Sequence, residues 1–262
     1  MTHPDPWHLV RTASRVLAVH AHPDDETLAT GALLADLAAR GIHVALVTVT
    51  RGEEGEVVPG AIGAEEAAAL EEVRVREIAR ATGALGVSEH HMLGTAPALD
   101  PDSDAPRLYR DSGMRWVTEH QAGPAEHVGP EAFTSLPLDT AVADLRALIA
   151  QVRPDVILSY DDEGTYGHPD HVRTHHLARE ASDSTGVPFI EVASDASSVD
   201  PSFRWREQPG THAQLREALE SYRTQLTVVG DLDGEPGGVR VRHVGGQFQD
   251  VPLRTGLRLH RD

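Results

Sequence analysis

Three apolar runs, RVLAVHA (15–21), HVALVTVT (43–50) and DVILSY (155–160), and a shorter one, HHMLG (90–94), are separated by segments of helical length. Strands joined through helices cannot close as hairpins and must pair through crossovers. The chain is therefore restricted to a doubly wound α/β fold, a mostly parallel sheet with helices on both faces. The spacing predicts helices over 25–41, with Gly41 as a stop, over 65–83 as one long element, over 138–153, and over 168–181. After LREALESYRTQL (215–226), Gly-rich sequence with the alternating runs VRVRHV and LRLH predicts a small C-terminal β appendage.

A length of 262 residues fits one domain, residues 1–262, with a core over about 14–195 and a C-terminal helix and β segment over about 211–262. With 41 acidic against 23 basic residues the net charge is −18, which argues against nucleic acid and anionic membranes as partners. Cysteine is absent, so a metal would have to be held by His, Asp or Glu. MTHPDPWHLVRTAS has no secretory pattern, and no apolar run reaches the ~18 residues of a membrane span, so a cytoplasmic location is expected. Nothing in the sequence stands against a homo-oligomer.

Ionisable residues concentrate at two strand ends, HAHPDDE (20–26) and SYDDEGTYGHPDH (159–171). In doubly wound folds the ligand crevice lies outside the carboxyl ends of the strands, where helix N-termini converge. If the clusters meet, His22, Asp25 and His171 supply two imidazoles and a carboxylate with positions left for water, a set suited to catalytic Zn²⁺. Asp24 is then a candidate general base, and Tyr166 a phenolic donor to an oxyanion. His168, charged by Asp170, is a candidate to stabilise that oxyanion or protonate a leaving amine. HPDD alone reads as a capped turn; the second cluster shifts the balance toward metal. His20 reads as a core residue, His175 as an exposed or half-buried helix position with a supporting contact as the alternative, and His90, His91 and His243 as structural. Asp144 and Arg146 read as a solvated helix face.

AHPDDE followed by YGHPDH resembles the LmbE-like, or PIG-L-like, zinc-dependent N-deacetylases, over about residues 14–180. The resemblance implies removal of acetyl from an N-acetylglucosamine conjugate, with His22, Asp25 and His171 on zinc, Asp24 as base, and His168 with Asp170 as an electrostatic pair. Tyr166 matches a tyrosine that polarises the carbonyl. RGEEGEV with Glu53, Arg74 within VRVRE, and Asp111 within YRDSGM are similar to the mycothiol-biosynthesis branch. There the arginine and the aspartate contact sugar hydroxyls, and Glu53 is taken here as a third substrate contact. The small-molecule partner implied is a GlcNAc-inositol or related amino-sugar conjugate; an S-conjugate amidase and a secondary-metabolite sugar deacetylase are the alternatives. The tail over 230–256 departs from the branch, so the chemistry is better supported than the aglycone. An oxygen- and nitrogen-ligated site also admits Fe²⁺. A non-haem Fe(II) oxygenase shares the ligand types, but an extra carboxylate beside the metal suits hydrolysis, and a sugar-binding protein has no need of that base.

Overall fold

The computed structural model describes residues 4–67, 69–118, 121–194 and 200–261. In chain order its helices are α1 (Pro6–Thr12), α2 (Asp25–Ala39), α3 (Ala64–Ala67), α4 (Leu70–Leu85), α5 (Leu138–Val152), α6 (Gly164–Gly167), α7 (Pro169–Thr185) and α8 (His212–Ser221). The strands are β1 (Arg15–His20), β2 (His43–Thr48), β3 (Glu89–Met92), β4 (Met114–Trp116), β5 (Ala122–Pro124), β6 (Val156–Tyr160), β7 (Phe189–Val192), β8 (Arg204–Glu207), β9 (Leu226–Leu232), β10 (Gly238–His243), β11 (Phe248–Pro252) and β12 (Arg254–Leu259).

The main sheet runs β3-β2-β1-β6-β7-β12-β8, parallel from β3 to β7. Successive residues of β1 point to opposite faces, and both faces are apolar: Val16 and Ala18 join one core with side chains of α2, α4 and α8, while Leu17 and Val19 join another with α5 and α7. From β1 the chain winds outward through β2 to β3, then returns to place β6 on the other side of β1. The order therefore reverses between β1 and β6, and a crevice opens at their carboxyl ends. HAHPDDE and SYDDEGTYGHPDH occupy those two ends.

Three expectations change. The single helix over 65–83 is two, because Ala69 leaves helical geometry (φ −126°, ψ 38°); α4 begins afresh with Glu71 and Glu72 in its first turn, where acidic side chains complement the helix dipole. The β appendage exists as the antiparallel set β9–β11, but LRLH belongs elsewhere: β12 lies in the main sheet, antiparallel to β7 and β8. Alternation identifies a strand without saying which sheet it joins.

Asp144 is the third. Far from solvated, it is fully buried, accepting from the Asp100 backbone N–H (2.8 Å), the Tyr109 hydroxyl (2.6 Å) and Arg107. A loop laid over α5 supplies all three partners, which the helix's own periodicity cannot reveal. Arg146 does remain exposed. Asp144→Ala strands a buried hydroxyl and a guanidinium, so unfolding free energy is expected to fall by about 3 kcal/mol. Urea unfolding should show a lower midpoint at unchanged slope; an unchanged midpoint would assign the carboxylate no structural part.

Candidate metal centre

The turn from β1 into α2 holds His22 and Asp25 in place. Asp24, at the helix N-cap, adopts φ 107°, a left-handed conformation rare for a residue with a Cβ, and its carboxylate makes no capping bond. Its carbonyl instead accepts the first helical N–H groups, from Thr27 and Leu28. Asp25, the first residue of α2, accepts through Oδ2 from the His22 backbone N–H (2.8 Å) and the Tyr160 hydroxyl (2.7 Å). His171 enters from the first turn of α7, behind Pro169.

These elements bring three donor atoms together. His22 Nδ1, Asp25 Oδ2 and His171 Nε2 form a triangle 3.2 Å on every side. Ligands held 2.0–2.2 Å from a tetrahedral ion stand about 3.3–3.6 Å apart, so the triangle is close to the size of one face of a zinc polyhedron. Imidazole N–H groups donating to Asp25 hold this arrangement together, and deprotonated it presents three lone pairs to one point.

Supporting contacts surround the triangle. The outer nitrogen of His22, Nε2, faces Asp170 Oδ2 at 3.1 Å and Asp111 Oδ1 at 3.5 Å, and the Thr165 hydroxyl lies 2.7 Å from His171 Nδ1. Partners of this kind fix ring orientation at metal sites. Tyr160 was not singled out from the sequence, where a tyrosine ending a buried strand reads as core. Its hydroxyl accepts from the Ala21 N–H (2.9 Å) while donating to Asp25, and its ring stacks in parallel on His171 at 4.5 Å. Tyr160→Phe is expected to weaken metal binding about 10–100-fold with the fold intact, measured by competition with a chromophoric chelator; parent affinity would reduce Tyr160 to packing.

His168 sits at the rim, its ring 4.8 Å from His171 and 4.7 Å from His22. The expectation that Asp170 charges it does not hold. Asp170 turns its carboxylate to His22 and to the Ser112 N–H (2.9 Å), leaving its own backbone N–H as the donor to His168 Nδ1 (3.2 Å). Burial, then the nearby His22 and His171, hold the His168 imidazole well below the ordinary histidine range. Tyr166 is 38% exposed and lies over the centre, 5.6 Å from the His171 ring and 5.3 Å from Trp116.

The three predicted substrate contacts line the adjoining wall. Asp111 caps its own turn at Gly113 N–H (2.8 Å) and donates its backbone N–H to Glu53 Oε2 (3.1 Å). Arg74, 1% exposed, is no surface arginine: it donates to the Gly55 and Glu56 carbonyls from beneath the acidic loop. Arg74 Nε and Nη1 and Glu53 Oε1 are buried without a hydrogen-bond partner. The C-terminal segment also reaches this end of the molecule, where the Tyr222 hydroxyl donates to buried Glu26 (2.6 Å).

The histidines set aside from the sequence behave as expected with one exception. His20 contacts Thr30, His90 contacts Thr48, His91 contacts Glu89 and His243 contacts Gln249. His175 is 2% exposed rather than half-buried, and its Nδ1 donates to the Tyr160 carbonyl (3.0 Å). No helix among the described residues is long and apolar enough to cross a membrane.

Comparison with known proteins places the chain among relatives. A 1D-myo-inositol 2-acetamido-2-deoxy-alpha-D-glucopyranoside deacetylase from Thermobifida fusca (strain YX) is 41% identical over 85% of this chain and 68% of its own length. The similarly named deacetylase 1 of Catenulispora acidiphila is 44% identical over 85% of this chain and 62% of its own length. The chain thus spans about two thirds of such relatives. The N,N'-diacetylchitobiose deacetylase from Pyrococcus horikoshii superposes with a TM-score of 0.54 at 20% identity, covering 83% of this chain and 74% of that one, and so shares the fold. The model of the family described as PIG-L: GlcNAc-PI de-N-acetylase matches residues 17–182, which include the whole triangle, and the chain belongs to that family.

Proposed function

We propose that this protein is a zinc-dependent hydrolase that removes the N-acetyl group from a GlcNAc-inositol conjugate or a closely related amino-sugar conjugate. The observation that carries the reading is the 3.2 Å triangle of His22, Asp25 and His171 beside the unengaged carboxylate of Asp24. Zinc held there supplies Lewis acidity, which brings the pKa of water toward ~7 and polarises an amide carbonyl.

The chain's own residues supply the rest. Asp24, next in sequence to a ligand, takes the proton from the attacking water. The Tyr166 hydroxyl, from its position over the centre, donates to the oxyanion developing on the amide carbonyl oxygen. As the C–N bond breaks the leaving nitrogen takes up a proton, the one Asp24 removed from water, returned directly or relayed through the neutral His168 imidazole, and the products are acetate and a free amine. Asp170 acts through His22, holding that ring. The unpartnered atoms of Arg74 and Glu53, together with Asp111, bind sugar hydroxyls, for which a guanidinium and carboxylates are matched donors and acceptors. The names of the relatives at 41% and 44% identity support this substrate class, and a cytoplasmic location fits a small soluble substrate.

Acetate release tests the reading. Metal-free, Zn²⁺-reloaded and Fe²⁺-reloaded protein should be compared on N-acetylglucosamine conjugates, the inositol-linked one included. Zinc-restored release, fastest on the inositol conjugate, is expected. Release restored by Fe²⁺ alone would reassign the metal, and no release from any conjugate with zinc bound would overturn the deacetylase.

A further inference from the structure

We propose that His175, Glu191 and His260 form a second site for a zinc-class divalent cation, separate from the His22–Asp25–His171 centre. One donor atom from each of the three lies within 4.8 Å of the others. They come from three elements: His175 from α7 one turn beyond His171, Glu191 from β7, and His260 from the end of β12. Glu191 and His175 are each 2% exposed.

The three donors lie close enough for one ion to gather them. Glu191 Oε1 is turned to both rings, 2.8 Å from His260 Nδ1 and 3.8 Å from His175 Nδ1. One edge is shorter and the other longer than the ~3.3–3.6 Å spacing of tetrahedral ligands, so an ion would regather the three side chains around itself. Two imidazoles and one carboxylate are a zinc donor set with room for water.

The surroundings of a built site are also present. Arg258 holds the other carboxylate oxygen, Oε2, and is itself bonded to Asp162 at 3.0 Å, so Glu191 is oriented without blocking Oε1. His175 Nδ1 donates to the Tyr160 carbonyl at 3.0 Å, so an ion ligated through Nδ1 displaces that proton and that bond. A cavity of about 730 Å³ opens onto His175, Glu191 and His260 and provides an entry path for a hydrated ion. An ion there would pin α7, which is capped by His168 and carries Asp170 and His171 in its first turn, to the β7–β12 pair.

The test is metal stoichiometry with Zn²⁺ and Co²⁺ as probes, by calorimetry on chelator-stripped protein. Two equivalents per chain are expected for the parent and one for His260→Ala and Glu191→Gln, the lost ion binding at least about 100-fold more weakly. His171→Ala should keep the ion at the second site, and acetate release by His260→Ala should still require zinc. One equivalent in the parent, unchanged in His260→Ala, overturns the site, as do two equivalents retained by both variants. Because His260 lies at a strand end, far-UV circular dichroism of His260→Ala and the milder His260→Gln separates lost ligation from lost fold. The hydrolase reading fails on acetate release and this one on stoichiometry, so the two failures are distinguishable.

Discussion

Asp24→Asn is expected to bind zinc as tightly as the parent and to release acetate about 10³-fold more slowly, within the range by which a positioned general base accelerates hydrolysis. The substitution keeps the shape of the side chain and removes its ability to accept a proton. Ligation should be spared, because the triangle is built from His22, Asp25 and His171 alone. The backbone should be spared too, since the left-handed turn at φ 107° is one that asparagine tolerates better than most residues. The position carries a conformational cost of about 1–3 kcal/mol, which the surrounding structure must offset, and such strain concentrates at functional sites. Measured as kcat with metal content determined on the same sample, a 10³-fold loss corresponds to about 4 kcal/mol of transition-state stabilisation. Parent-like kcat would move the base to His168, the other proton-handling group at the rim.

Much of this centre was legible in the sequence because polar clusters stood where apolar strands ended. Composition excluded thiolate ligands and spacing supplied the strands, but neither could state that β1 and β6 are neighbours. That adjacency depends on the order in which strands are laid down, and it makes HAHPDDE meet HPDH. The same blindness to long-range partners explains two of the corrections. Asp144 looked solvated because its partners arrive from a loop some 35 to 44 residues earlier. Asp170 looked like the partner of His168, two residues away, yet its carboxylate turns to His22, 148 residues away in the chain. Tyr160 gave no signal at all: its importance lies in one hydroxyl shared between Ala21 and Asp25. Local pattern reports where chemistry resides, whereas the hydrogen bonds that orient it are tertiary.

Removing one ligand should have the broadest effect. In His171→Ala the triangle loses a corner, and Tyr160 and Thr165 lose the ring they stack on and hydrogen-bond to. Two donors, His22 and Asp25, cannot hold zinc against water, so affinity at this centre is expected to fall by well over the ~10–100-fold that follows loss of a supporting partner. Acetate release should fall by about 10³-fold or more, because both the Lewis acid and the poised water go with the ion. Chelation of the parent should reproduce the loss without any mutation, and returning zinc should reverse it. Agreement between the two routes is the decisive feature, since a folding defect in the variant cannot imitate a reversible loss in the parent. His171→Gln, which keeps a polar side chain of similar reach, should behave like His171→Ala if ligation is the function of the ring. A parent that keeps full turnover after its metal has been stripped would show that the triangle, however well shaped for zinc, is not where the amide is cleaved.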